Sequence, residues 1–411
     1  MPSSTPVRRG MGAPRVRRRH GTPPAVGPGA WPADVDLLIT DAGLDDEMAE
    51  HLDAEDLPVV RVRAPRGGPG RRWWQDRDMA SLTVGLAAAL EQFHPTEIVQ
   101  TAVDAEQHGF SGVMAADHVA PWVPAQGEAA FVWNVLAALG ERTTGDIGPG
   151  VTCPSFRFHP AMVAQASATL AAMYPGRHWL GLGSGEALNE HVVARYWPEA
   201  PERINRMFEA VEIIQKLFSS SLAGKDYKHR GEFFQLESMR LWTMPERAPE
   251  ILIATAGPIT AKRAGRTVDG LITVGAPLEK IGGLFEKFDA GAREVGRDPE
   301  TMPKVLQLHL SWAPTYEEAL AGAIDQWPNG GMKFPKGDIR SPFDFAAMAK
   351  SVREEDFAGR MVISEDPDVH RAEIQRYVDL GFDRVYLHNV GRNQAEWVRV
   401  FGADVLPKLA R

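Results

Sequence analysis

The chain has one cysteine, Cys153, in 411 residues, which excludes an intramolecular disulfide and any metal site built from several thiolates. No apolar run is long enough to cross a bilayer. Positive charge is also in short supply: the net charge is −9, so the basic face that a nucleic acid demands is missing. Arg8-Arg9 resembles a twin-arginine export signal, but Gly, Pro and further Arg follow in place of a hydrophobic segment. These absences leave a cytoplasmic protein acting on a small molecule, without metal, membrane or nucleic acid as partner.

Charge is unevenly spread at the start. Residues 1–33 hold no Asp or Glu and are rich in Arg, Pro and Gly; like-charge repulsion and little apolar surface predict disorder there. Residues 34–60 invert the pattern, with ten Asp and Glu and no Lys or Arg. Two short strands, 36–41 and 57–63, are expected to flank an acidic helix. Residues 1–80 therefore read as an N-terminal extension, or as upstream of a true start near Met79, and name no activity.

From residue 81 to the C-terminus, apolar strand-like runs alternate with amphipathic stretches, the pattern of repeated βα units on a parallel sheet. Strands are expected at 82–86, 112–116, 147–151, 178–182, 251–255, 270–274, 305–312 and 384–388, with helices such as 95–108, 160–173, 201–218 and 258–266. Eight such units point to a (β/α)8 TIM barrel with insertions over 81–411, ahead of a doubly wound open sheet. One insertion, 222–242, reads as a hairpin. The other, 326–355, is a long excursion carrying Lys333, Lys336 and Arg340, and loops of that length are commonly lids or binding loops.

A barrel places its chemistry at the carboxyl ends of its strands. There the second strand delivers Asp117, His118 and Trp122, a carboxylate, an imidazole and a large aromatic. Alone, His118 would serve as well for a helix cap and Trp122 for core. The third strand, Ile147-Gly-Pro-Gly-Val-Thr-Cys-Pro154, is set for an unusual backbone at a ligand face, and Cys153 reads as a buried, inert thiol. Gly181, Gly183 and Gly185 after the fourth strand make a poor dinucleotide fingerprint, because Glu186 occupies the third glycine's place. They suit the close approach of a flat ligand, with Glu186 as a proton donor or as a solvated turn residue. After the fifth strand, Thr255 and Gly257 precede Pro258 at a helix start suited to an anion; Lys262 follows one turn on, either toward that anion or simply solvated.

Taken together, Asp117-His118 with Trp122, Thr152-Cys-Pro-Ser-Phe-Arg-Phe-His-Pro160, Gly183-Ser-Gly-Glu-Ala-Leu-Asn-Glu190 and Ala256-Gly-Pro258 resemble the deazaflavin-dependent glucose-6-phosphate dehydrogenase group of the luciferase-like superfamily. The resemblance spans residues 82–409. It implies a (β/α)8 barrel, a homodimer, and coenzyme F420 with its ring at the carboxyl end of the barrel. It assigns catalysis to His118, Glu186 and Trp122, and the cofactor to Asp117, Gly150, Val151, Thr152, Gly183, Ser184, Asn189, Thr255, Ala256 and Gly257. A cis peptide is implied at Gly150-Val151, and a substrate phosphate at Lys262, Lys336 and Arg360.

The expected activity is hydride transfer between a hydroxyl-bearing carbon, of a sugar phosphate such as glucose 6-phosphate or of another alcohol, and the deazaflavin. A base must take the hydroxyl proton and an acid must serve the reduced ring; His118 and Glu186 are the pair, in either order. The alternatives are an FMN-dependent monooxygenase of the same superfamily and an F420-binding protein without turnover.

Overall fold

The computed structural model describes residues 82–194 and 196–410, together with the backbone of three short strands nearer the N-terminus. The chain divides into two units, Met1–Arg77 and Asp78–Arg411. In the first, β1 (Arg17–Arg18), β2 (Leu38–Thr40) and β3 (Val59–Arg61) pair in parallel in that order. The strands expected at 36–41 and 57–63 are thus β2 and β3. The expected acidic helix lies outside the described residues, as does the disorder expected over 1–33 except at Arg17–Arg18, which is a strand.

In the second unit, eight strands run parallel: β4 (Thr83–Ala88), β5 (Gly112–Ala115), β6 (Asp146–Pro149), β7 (Trp179–Leu182), β10 (Glu250–Ala254), β11 (Gly270–Val274), β12 (Lys304–Trp312) and β14 (Arg384–Asn389). Their order is β6-β5-β4-β14-β12-β11-β10-β7. Bridges Ile147–His178 and Thr152–Leu182 join the two ends and close the barrel. Proline starts α1 (Pro95–Gln107), α3 (Pro160–Met173) and α6 (Pro258–Thr267), where its missing N–H costs nothing. The remaining elements are α2 (Val132–Arg142), α4 (Ala187–Glu190), α5 (Ala200–Leu222), α7 (Leu278–Glu294), α8 (Tyr316–Gln326), α9 (Pro342–Ala349), α10 (Pro367–Leu380) and α11 (Gln394–Asp404). No helix among the described residues is long and apolar enough to cross a membrane.

The expected hairpin is present as antiparallel β8 (Tyr227–Arg230) and β9 (Gln235–Met239). The excursion after α8 is more ordered than a loop. It contains α9 and ends near a ninth strand, β13 (Val362–Ser364), that pairs only with the last residues of β12.

Three layers of apolar contact follow from this arrangement. The largest lies between the sheet and the helices. A second fills the barrel with Met114, Trp179, Leu252, Ile272, Val305 and Tyr386. Glycines make room for its large rings: a Cβ on Gly148 would sit 2.2 Å from the Trp179 indole, and one on Gly85 would sit 2.6 Å from the Tyr386 ring. The third caps one rim, where Trp122 packs with Trp327, Phe345 and Phe357 from the excursion.

The opposite, amino-terminal rim is closed by charge. Arg384, at the start of β14, donates to Glu250 at 2.7 Å and lies 4.0 Å from Asp146, whose other oxygen accepts from the Tyr386 hydroxyl at 2.6 Å. Removing one member of a buried ion pair strands the other, at a cost of about 3–5 kcal/mol. Glu250→Ala is expected to lower stability by about that amount, read from the urea unfolding midpoint; a loss within error would mean that Asp146 alone serves the guanidinium.

Candidate active site

At the carboxyl ends of the strands a cavity of about 350 Å³ opens, within the usual range of about 300–1,000 Å³ for small-molecule sites. It is lined from every quarter of the barrel, including Glu91 after β4, His118 after β5, Val151 after β6, Glu186 after β7, Thr255 after β10 and His309 within β12. His118 and Glu186, delivered by different strands, thus face the same space.

His118 is held from both sides. Its Nε2 lies 3.4 Å from Glu91 Oε1. Its Nδ1 lies 3.2 Å from the Ala120 carbonyl and 3.2 Å from Asn189 Nδ2. Asn189 is oriented independently, since its Oδ1 accepts from the Val119 N–H at 3.0 Å. Nδ1 therefore has both a donor and an acceptor beside it. The neutral ring can accept from Asn189 on Nδ1 while Nε2–H donates to Glu91, or donate from Nδ1 to Ala120 and leave its lone pair on Nε2; the charged ring donates to Ala120 and to Glu91. Trp122 packs on the imidazole at 5.0 Å and is held by Phe345 at 5.3 Å.

Burial pushes the Glu186 carboxyl up from its ordinary value, with Glu91 acting in the same direction and His118 and Lys336 opposing. It stays neutral to a higher pH than a solvated glutamate.

Beneath these groups Arg157 ties three loops together. Its guanidinium lies 3.1 Å from Asp117 Oδ1 and 2.9 Å from Glu190 Oε1. Glu190 Oε2 also accepts from the N–H groups of Phe156 and Arg157. Asp117 accepts from the Thr152 hydroxyl at 2.9 Å. Asp117 and Thr152 are thereby buried struts, Asp117 at the cavity lining, and the Asp117 carboxylate is turned to Arg157 rather than to the His118 ring.

The Gly150-Val151 peptide is cis. Val151, Gly183, Ser184 and Gly185 form one wall, and Gly185, at φ +82°, has no room for a side chain, since a Cβ would lie 2.7 Å from Cys153 Sγ. The Cys153 thiol is buried, and burial raises it well above its usual value, which makes it inert. Thr255 and Ala256 line the cavity, and Thr255 Oγ1 accepts from the Gly257 N–H at 3.0 Å at the start of α6.

The three expected phosphate ligands do not converge. Lys336 donates to the Asn329 carbonyl at 2.9 Å. Burial and then Arg360 lower the pKa of its ammonium, while Glu186 opposes, so Lys336 and Arg360 act on each other's charge. Lys262 instead pairs with Glu294 at 2.6 Å on an exposed surface between α6 and α7. Close packing of α6 on α7 is marked by Gly291, where a Cβ would lie 1.9 Å from the Lys262 carbonyl. Residues unforeseen from the sequence are Glu91, Arg157, Glu190, His309 and Trp327. Arg157 and Glu190 lay inside the quoted motifs, and the strand-end rule applied to β4 points to Glu91.

Residues 79–384 match the family model for luciferase-like monooxygenase. The chain is 36% identical over 333 residues to the F420-dependent glucose-6-phosphate dehydrogenase of Microbacterium testaceum, covering 80% of this chain and 98% of that one. It is 35% identical to the enzyme of the same name from Mycobacterium avium, covering 81% and 99%. Among solved structures it is similar to an F420-dependent secondary alcohol dehydrogenase in complex with an F420–acetone adduct, at a TM-score of 0.76 and 30% identity, covering 80% of this chain and all of that one.

The raised Glu186 carboxyl yields a linkage test. The native state holds this proton more tightly than the unfolded chain does, so stability falls as pH rises from the ordinary carboxyl value through the raised one. Glu186→Gln is expected to raise the melting temperature at about pH 7 and to leave it unchanged at about pH 4, where both states are protonated. Calorimetry at the two pH values checks it, and a gain independent of pH would contradict the shift.

Proposed function

Because the chain belongs to the luciferase-like monooxygenase family, we propose that it is an F420-dependent oxidoreductase acting on CH–OH donors. It moves a hydride between a hydroxyl-bearing carbon, in a sugar phosphate such as glucose 6-phosphate or in another alcohol, and the deazaflavin. The observation that carries this reading is that an imidazole and a carboxyl whose proton burial favours face one cavity that glycine backbone also lines.

The residues present fit a flat ring. Gly183 lets Val151 pack against its backbone, since a Cβ there would meet Val151 Cγ2 at 2.7 Å, and Val151, Ala254 and Ile272 supply apolar wall. Coenzyme F420 bound there would supply the hydride-accepting ring. Gly150, Val151, Gly183, Ser184, Asn189, Thr255, Ala256 and Gly257 would hold it, with Asp117 and Thr152 supporting from below. His118 takes the substrate hydroxyl proton on Nε2 as base, in the tautomer whose Nδ1–H donates to the Ala120 carbonyl, and Glu91 faces the charge that Nε2 gains. Glu186, whose carboxyl burial pushes up from its ordinary value, is the acid. Trp122 fixes the imidazole and closes the substrate side. Lys336 and Arg360 are the cations available to a phosphate; with Lys262 engaged by Glu294, a third is not.

The same reading extends to a cytoplasmic homodimer. The reduced buried thiol of Cys153 suits a reducing compartment, and Phe131, Met162, Val192 and Val193 leave apolar surface in water that a second copy would cover. Light scattering of the full chain tests the dimer: a monomer mass at micromolar concentration would reject it.

Tryptophan quenching is expected on titration with F420 and not with FMN, and glucose 6-phosphate or a secondary alcohol should then bleach the bound deazaflavin. His118→Ala and Glu186→Gln should retain F420 binding and slow bleaching by about a hundredfold or more. Binding of FMN in place of F420, or bleaching unaffected by either substitution, would overturn the assignment.

A further inference from the structure

A chain of buried hydrogen bonds ends on the cavity wall at His309, a residue the proton-transfer scheme does not use. It starts at Gln92, whose Nε2 lies 2.9 Å from the Val390 carbonyl. A carbonyl only accepts, so Nε2 is the donor there and the orientation of the amide is fixed. Gln92 Oε1 then faces His388 Nε2 at 2.8 Å, and that nitrogen must carry a proton. His388 is buried, and burial pushes its imidazole well below the usual value, with His309 acting in the same direction. A neutral His388 protonated on Nε2 has a lone pair on Nδ1.

His388 Nδ1 lies 2.9 Å from His309 Nδ1, so His309 donates from Nδ1. Burial, and then the charge of Lys336, lowers the His309 pKa to about 4. Neither ring has a carboxylate partner among the described residues that would favour a second proton. His309 Nε2 is therefore a lone pair, and among the described residues no protein group hydrogen-bonds to it. The ring cannot turn to hide it: Trp327 stacks on His309 at 4.6 Å and 31°, and packs edge-on against His388 at 4.9 Å. His309 lines the cavity that holds His118 and Glu186, and also a neighbouring one of about 360 Å³ that Arg360 lines.

An acceptor fixed in this way selects what lies against it. A phosphate dianion has no proton to give it and would face a lone pair. A hydroxyl gives a proton and keeps its own lone pairs free for a cation such as Lys336. Resting on the reading of the chain as an alcohol oxidoreductase, we propose that His309 Nε2 accepts a hydrogen bond from a second, non-reacting hydroxyl of the substrate, so that the enzyme's substrates are diols and polyols rather than simple alcohols. His309 is a specificity residue, separate from the acid–base pair. A site built to bond a hydroxyl discriminates against the analogue lacking it, because its own buried polar group is then left unpaired.

The test compares 2-propanol with 1,2-propanediol, and 2-butanol with 1,3-butanediol, pairs that differ by one hydroxyl at one or two carbons' distance. Dissociation constants are read on the full F420-loaded protein from tryptophan fluorescence, for which Trp327 is the neighbouring reporter, and kcat/KM from F420 bleaching. At least one diol should exceed its mono-alcohol by about tenfold or more in affinity and in kcat/KM. His309→Phe, which keeps a ring on Trp327, should bring that ratio toward one, with the loss in KM more than in kcat, and His309→Gln, which retains an acceptor, should restore part of it.

Nitrogen-15 NMR should find His309 Nε2 unprotonated at neutral pH. The proposal is overturned by equal binding of diol and mono-alcohol, by a ratio that survives His309→Phe, by an F420 dissociation constant that rises more than the diol's, or by a protonated Nε2. Diol-selective binding without bleaching would instead remove the oxidoreductase reading and leave His309 as the hydroxyl-reading group of a binding site.

Discussion

The guanidinium of Arg157 between the buried carboxylates of Asp117 and Glu190 is the contact on which the rim depends. Each of the three residues belongs to a different segment: the run after β5, the run after β6, and α4 beyond β7. Each has a functional candidate as a near neighbour. His118 follows Asp117, Asn189 precedes Glu190, and Cys153 and Val151 flank Thr152, whose hydroxyl completes the shell of Asp117. Three loops free to move separately would scatter these groups by ångströms, and proton transfer tolerates little of that. A buried charge between two opposite charges, with its hydrogen bonds satisfied, sets their register; removing it would leave two carboxylates in a dry place.

The barrel confines such charge to its two ends. Its middle is an apolar stack of Trp179, Tyr386, Met114, Leu252 and Ile272, between the Arg384 cluster at one end and the cavity at the other. Strands of a single polarity put all eight carboxyl ends on the same side, so chemistry can be added by changing the residues just beyond each strand without disturbing the stack. The excursion then covers part of that rim, carrying Trp327 onto His309 and Phe345 onto Trp122. It sets the shape of the cavity as much as the strands do.

Much of this could be read from the sequence, because the strands are buried on both faces and stand out as short apolar runs. β11 begins and ends where its pattern does, at Gly270 and Val274; the cis bond falls at Gly150-Val151, where the family resemblance, not the pattern, puts it. What was not legible has physical causes. The first barrel strand reads as ending at 86 but continues to Ala88, so the rim residue is Glu91, beyond where a strand ending at 86 directs attention. β12 overruns the rim because β13 pairs with Leu310–Trp312, and a ligand-facing histidine consequently sits inside a strand. Lys262 lies one turn into its helix, but its amine pairs with Glu294 of α7, a tertiary contact that helix spacing does not reveal.

Two glutamates flank His118, and their surroundings separate them. Glu91 is almost wholly buried and has His118 Nε2 as its near partner, with its other oxygen lacking a hydrogen-bond partner. Glu186 lines the same cavity, and burial, with Glu91 in support and His118 and Lys336 opposing, pushes its carboxyl up. A carboxyl that keeps its proton is suited to giving one away, and a carboxylate at the imidazole's Nε2 is suited to a ring that gains positive charge when it takes one. The division of labour between base and acid therefore does not rest on residue type, since a glutamate appears on both sides of it. It follows from which carboxyl has the imidazole as its immediate partner and which is pushed up chiefly by burial.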